Sequence, residues 1–216
     1  KNTDTATTPR KDHSMEVVER FLKTHSAHCT GAETAELANV RKAALERFTQ
    51  TGFPSTKVEE WKYTSTKSLQ ETAFVLEDRP TPLKKPSEVT RGEKTCARLV
   101  FLNGHLHREW SRLPQETSIS IKEWGEADDP LTRETSDPFS SLNLAFVQDA
   151  IHIQIAPKAK LEDPIYLLFI GQAIDTPIGS HPRVIITAGA HSEIEVIQTH
   201  MGLGDAPAWI NGVVHT

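Results

Sequence analysis

GFPSTKVEEWKYT, Gly52 to Thr64, divides the chain into two different kinds of sequence. Gly52 can take the left-handed conformation that closes a helix, and Pro54 cannot continue one. The stretch therefore ends whatever helix precedes it. From Lys57 to Tyr63 it then sets two acids, an indole, two lysines and a phenol within seven residues. Large aromatics normally serve burial, and a linker has no need of Trp61 and Tyr63 so close together. The segment reads as a docking element, both rings anchoring the helical region before it.

Upstream, residues 33–51 place Leu37, Val40, Ala44, Leu45 and Phe48 on one stripe at helical spacing. An earlier helix is expected over residues 14–29, where Met15, Val18, Phe21 and Leu22 share a face. The two stripes are expected to bury each other as a helical hairpin, within a helical region placed at residues 13–72. Residues 1–12, KNTDTATTPRKD, lack the apolar centre of a signal peptide and read as a disordered tail. A chain opening on Lys1 is expected to be a processed or shortened form.

Downstream, Pro80, Pro82 and Pro86 fall in a charged connector over residues 73–95. From Cys96 the period changes to that of short strands. Arg98 to Leu102 runs into Asn103-Gly104, a strong hairpin signal, with His105 to Trp110 as the returning strand. Ser118 to Trp124 alternates as another strand. Asp137-Pro138 opens a short helix, aspartate as cap and proline at the first helical position, with Phe139, Leu142, Ala145 and Phe146 on its apolar face. Further strands are expected at Ile151 to Ile155, Pro164 to Ile170, Arg183 to Thr187, Ser192 to Gln198 and Trp209 to Val214. Short strands with tight connections and no crossover helix suggest a sandwich, a barrel or a stacked β-helix. The last strand looks like one in mid-series, which favours the stacked form. It predicts a β core at residues 96–216, cut between coils, in the N-terminal part of a longer protein.

Composition excludes several function classes. The 216 residues are 37% hydrophobic and 25% charged, with a mean hydropathy of −0.42, the profile of a soluble protein with much polar loop. A net charge of −5 and a pI near 6.1 argue against non-specific nucleic-acid binding, which needs a concentrated basic face. The longest apolar run, near Ile165 to Gly171, is far short of the ~20 residues that span a bilayer. No membrane partner is expected. Cys29 and Cys96 form no CxxC pair and read as reduced thiols in a reducing compartment.

The residues that carry chemistry elsewhere form no convincing constellation here. His25, His28 and Cys29 could share a helical face, but a structural zinc site wants four ligands and no second cluster matches. His105 and His107 are two apart on a strand and point the same way, which reads as a pair of exposed edge histidines. His152, His181, His191, His200 and His215 are dispersed. The pairs Glu59-Glu60 and Asp128-Asp129 sit in polar surroundings, and Glu193 and Glu195 form an outward row on one strand face. Gly202-Leu203-Gly204 has no following helix to cradle a phosphate. No catalytic residue and no metal ligand is assigned, and the chain is expected not to be an enzyme.

Gly52, Phe53, Pro54, Lys57, Glu59, Glu60, Trp61, Lys62, Tyr63 and Thr64 together resemble the signature of the SufB/SufD family, in its SufD form. These are the non-ATPase scaffold subunits of the SUF iron–sulfur cluster assembly machinery. Phe101 to Gly104, Asp137 to Ala145 and His181-Pro182-Arg183 resemble further family segments in the right order, so the likeness covers about residues 34–214. It implies an α+β fold: an N-terminal helical region, then a mainly β core forming the first coils of a right-handed parallel β-helix. It implies a non-catalytic scaffold role beside a SufB-like subunit and a SufC-like ATPase, in the cytoplasm or an organelle stroma, with a homodimer through the β core also open. An iron–sulfur cluster and reduced flavin would belong to the whole complex. The family's functional Cys and His positions are implied to lie beyond Thr216, so none is carried over to Cys29 or Cys96. Two rival readings are a β-helix enzyme acting on polysaccharide through Glu193 and Glu195, and a stand-alone metal-binding module built on the histidines.

Overall fold

A computed structural model describes Arg20, Lys23 and residues 35–78, 80–82, 86–90, 94–123 and 137–216; among these the chain is α+β with a mixed β core. Among the described residues, α-helices run over Ala35–Thr51 (α1), Lys67–Glu71 (α2) and Pro138–Phe146 (α3). α1 stops where Gly52 turns to φ 64° and its N–H reaches back to the Phe48 carbonyl at 2.7 Å. That is the left-handed closure which glycine adopts without a Cβ penalty. α3 starts as its sequence dictates: Asp137 Oδ2 accepts from the Ser140 amide at 2.7 Å, and Pro138 fills the first turn.

The α1 stripe packs on a helix that the sequence reading did not pair with it. Ala44, Leu45 and Phe48 pack on Leu142, Leu144, Ala145 and Phe146 of α3, nearly a hundred positions later. The other half of the expected hairpin, over residues 14–29, lies outside the described residues apart from Arg20 and Lys23, as does the tail at 1–12. Short apolar stripes carry no address. They settle on whatever complementary face the rest of the chain supplies.

The described residues also form ten strands: Ala97–Leu102 (β1), His105–Leu106 (β2), Ile119–Glu123 (β3), Ala150–Ile155 (β4), Ile165–Gln172 (β5), Ile178–Ser180 (β6), Arg183–Ala188 (β7), Val196–Leu203 (β8), Ala208–Ile210 (β9) and Val213–His215 (β10). They make one sheet in the order β2-β1-β5-β8, a second in the order β10-β7-β4-β3, and a β6-β9 pair. All pairings are parallel except β1 with β2 and β3 with β4. Ile165 lies opposite Val196, Ile178 opposite Ala208 and Arg183 opposite Val213, so successive passes of the chain lie on one another. The sheets close into no barrel among the described residues.

The inner core forms between the two larger sheets. Leu99, Phe101, Leu167 and Phe169 face Ile151, Ile153, Val184 and Ile186, none more than 3% exposed. Burying each such side chain stabilises by about 1.5–3 kcal/mol. The outer face of β1 and β5 is covered too: Val100, Leu102, Leu168 and Ile170 lie under Val89 and Trp110. A strand buried on both faces reads as a continuous apolar run, as residues 165–170 do.

Three strand expectations need correction. The hairpin turn forms at Asn103 (φ 46°) and Gly104 (φ 90°), but β2 ends after Leu106. His107 donates its amide to Val100, and a turn then carries Trp110 over the outer face of β1. Residues 192–195 are extended but irregular, joined to the preceding pass by an isolated bridge between Glu193 and Lys160, so β8 starts at Val196. The expected strand at 209–214 divides at Asn211, whose amide donates to the Ser180 carbonyl at 2.8 Å and turns the chain from one sheet into another.

Candidate functional site

The segments picked out as motifs converge on one seam between the helical part of the chain and the β core. Its apolar half is a cluster of rings. Phe53 meets Phe48 edge-on with centroids 5.1 Å apart and Phe139 at 5.7 Å. Trp61 stacks on Phe139 at 5.0 Å, and Trp209 reaches Phe53, Phe74, Phe139 and His181. The loop is held in place by Thr66, which is buried and donates to the Pro54 carbonyl at 2.9 Å while accepting from Gln70 at 2.8 Å. Edge-on and offset ring pairs add about 0.5–1.5 kcal/mol each beyond their buried area.

Tyr63 takes no part. It is 92% exposed, with Lys62 Nζ 5.5 Å from its ring centre, so the expectation that it anchors the helical region is corrected. The three-residue turn Glu59–Trp61 sends Trp61 inward and leaves Tyr63 on the surface. Glu59 and Glu60 are exposed on that turn, and the Lys62–Glu59 pair at 3.8 Å is a surface contact of little worth.

The polar half is a chain of hydrogen bonds through the same seam. Asn143, fully buried on α3, donates to the carbonyls of Pro182 at 2.9 Å and Asn211 at 2.7 Å, and accepts from Arg183 Nη1 at 3.0 Å. Asn211 donates to the Phe139 carbonyl and lies 3.1 Å from His181 Nδ1. Gln148 accepts the His181 amide and donates to the Asn103 carbonyl at 2.8 Å. Asn103 bonds Glu77 through its amide at 2.6 Å and accepts the Gln172 amide at 2.6 Å. Buried polar groups cost several kcal/mol unless paired. Here the pairing fixes which segment lies against which.

Two histidines behave unlike the exposed edge pair the sequence suggests. His105 Nε2 lies 2.8 Å from the Glu77 carbonyl and Nδ1 lies 3.5 Å from Asp149, while His107 stacks on Trp110 at 4.1 Å. Both are half-buried. Burial alone would lower the His105 imidazole, but the Asp149 hydrogen bond and charge, the Glu77 carbonyl and the Asp78 charge outweigh it and hold it above its usual range. His181 is buried between Phe146 and Trp209, His152 bonds Thr187 at 2.9 Å, and His200 extends the Phe101–Phe169 stack at 5.0 Å. Partial burial pushes the His200 imidazole down.

The remaining candidates do not assemble. Cys96 is a free, half-buried thiol whose proton burial holds on more tightly. His25, His28, Cys29, Asp128 and Asp129 lie outside the described residues. Glu193 and Glu195 are exposed, and Glu193 is engaged by Lys160 at 2.6 Å. Gly202 and Leu203 end β8 and Gly204 begins the turn to β9, with no helix behind them. Among the described residues no three His, Cys, Asp or Glu side chains gather as a metal site, and no helix is long and apolar enough to cross a membrane. The cavity between Phe74, Phe146, His181 and Trp209 has about 20 Å³, room for roughly one water molecule. The arrangement is a joint.

Sequence reasoning missed Glu77, Gln148, Gln172 and Asn211 as members of it. A polar residue inside an apolar run, as Asn143 in LNLAF and Asn211 in AWINGVV, is the signal that would have found some of them.

Residues 13–89 match the family model described as the SufBD protein N-terminal region. The match supports the SufB/SufD family and involvement in SUF iron–sulfur cluster assembly, without separating SufD from SufB. No curated protein matches the chain.

Proposed function

We propose that this chain serves as a SufD-like scaffold in SUF iron–sulfur cluster assembly. The observation that carries the reading is the match at residues 13–89, which includes the whole of the signature and ends at Val89, a residue buried on the outer face of the β core. The features favouring SufD over SufB are the long N-terminal helical region and the tryptophan motif at Trp61.

A right-handed parallel β-helix is the architecture we assign to the core. What supports it is the offset of the parallel pairings, Ile165 with Val196 and Ile178 with Ala208. That spacing of about 30 residues falls within the roughly 20–45 of stacked repeats. The partners are a SufB-like scaffold subunit and a SufC-like ATPase, and ATP hydrolysis belongs to the latter. The cluster is cargo of the complex, as is any reduced flavin, and no residue of this chain is assigned to either. The setting is the cytoplasm, or an organelle stroma in a eukaryote.

Co-purification of the tagged full-length parent with the SUF ATPase and the paired scaffold tests the proposal. Retention of both is the expected result. Retention of neither, from a folded bait, would overturn it.

A further inference from the structure

Residues 74–78 meet the β core through two unlike contacts. Val75 forms a parallel bridge with Ile178, its N–H donating to Pro177 and its carbonyl accepting from Gly179, both at 2.9 Å. Two residues later the Glu77 carbonyl faces His105 Nε2 at 2.8 Å, and the Glu77 carboxylate accepts from Asn103. Across the ring, Asp149 Oδ1 lies 3.5 Å from Nδ1, while Oδ2 accepts the Leu106 amide at 2.7 Å.

Both ring nitrogens therefore face oxygens that can only accept. A neutral imidazole has one proton to offer them. Carried on Nε2, it leaves a lone pair turned toward the Asp149 carboxylate; carried on Nδ1, it leaves one against the Glu77 carbonyl. Gln148 Nε2 is 3.3 Å from His105 Nε2, but its N–H groups already serve Asn103 and Glu77 at 2.8 and 3.2 Å. Only the imidazolium satisfies both sides.

We infer that His105 is a proton-operated latch, closed as the imidazolium, that fastens residues 74–78 to the β1–β2 turn and the start of β4. Among the described residues the charges acting on the ring are acidic, Asp149 before β4 and Asp78 on the connector, while Glu77 meets it through its backbone carbonyl and turns its carboxylate to Asn103. Gln148 and Asn103 are neutral, and His181 meets Gln148 through its backbone amide. The surroundings raise the imidazole above its ordinary value of about 6.5. The latch is then fully closed below about pH 6.5 and opens as pH rises through the raised value. Opening bares the edge of β6 that Val75 covers, the opposite edge being held by β9.

The test is amide hydrogen exchange on the full chain from pH 6 to 9, corrected for intrinsic rates, beside an NMR titration of the His105 ring. Protection of the Val75 and Gly179 amides is expected to fall about fivefold across the His105 titration, a charge-assisted hydrogen bond being lost. In Asp149→Asn the new amide donates to Nδ1 and satisfies a neutral ring, so the pH dependence vanishes and His105 titrates lower. His105→Gln leaves residues 74–78 weakly protected at every pH. Wild-type protection that stays constant through the His105 titration overturns the inference, as does a His105 that titrates below an unstructured histidine. Neither result depends on any variant folding.

Discussion

The ring cluster at Phe53, Trp61, Phe139 and Trp209 and the polar chain at Glu77, Asn103, His105, Gln148 and Asn143 join the same two parts of the molecule by different physics. The rings contribute in proportion to the area they remove from water, with only modest demands on angle. The polar chain contributes little net energy per bond, yet each bond broken inside it strands a buried group. The first supplies adhesion. The second supplies address, because Asn143 accepts only a neighbour that presents the Pro182 and Asn211 carbonyls. The two also differ in what disturbs them: among the described residues the ring cluster is built of apolar rings with His181 at its margin, whereas the polar chain holds the His105 imidazole and the Glu77 carboxylate.

Substitutions that break one seam and spare the other sharpen this contrast. The largest loss is expected from Phe48→Ala, since Phe48 is 1% exposed and sits under Phe53; about 3–5 kcal/mol should appear as a lower urea midpoint at unchanged slope. Asn143→Ala is expected to cost about 2–3 kcal/mol, because it removes the donor to two buried carbonyls at once. A cost as small as that of a surface substitution would show the polar chain to be ornamental. Trp61→Ala loses a half-buried stack, about 1–2 kcal/mol by thermal or urea unfolding. Tyr63→Ala should change stability by less than about 0.5 kcal/mol. If the last two came out in reverse order, the turn at Glu59–Trp61 would have to present the other ring to the core.

The parts legible in the sequence are those decided within a few residues. Gly52 closed α1, Asn103-Gly104 formed the tight turn, and Asp137 capped α3, each because a local backbone angle or a side-chain acceptor three residues away fixes the outcome. The apolar strands were legible as well, since residues 165–170 are buried on both faces. What stayed hidden depends on partners far along the chain. Asn143 meets Asn211 across 68 positions and Asn103 meets Gln172 across 69, and no local pattern specifies either meeting. Strand ends failed for the same reason: Asn211 looks like a strand residue until the Ser180 carbonyl draws its amide into a corner. Tyr63 and Trp61 look alike in sequence as large aromatics two positions apart, and a single short turn sends one inward and the other to the surface.

The claim that the signature works as a joint is tested most directly by a double-mutant cycle on Trp61→Ala and Phe139→Ala, read by urea unfolding of the two single variants, the double variant and the parent. With the rings 5.0 Å apart and stacked, the account predicts a coupling of about 0.5–1.5 kcal/mol. Losses that add to within about 0.3 kcal/mol would contradict it, for the signature would then be held by something other than the helix on which it rests.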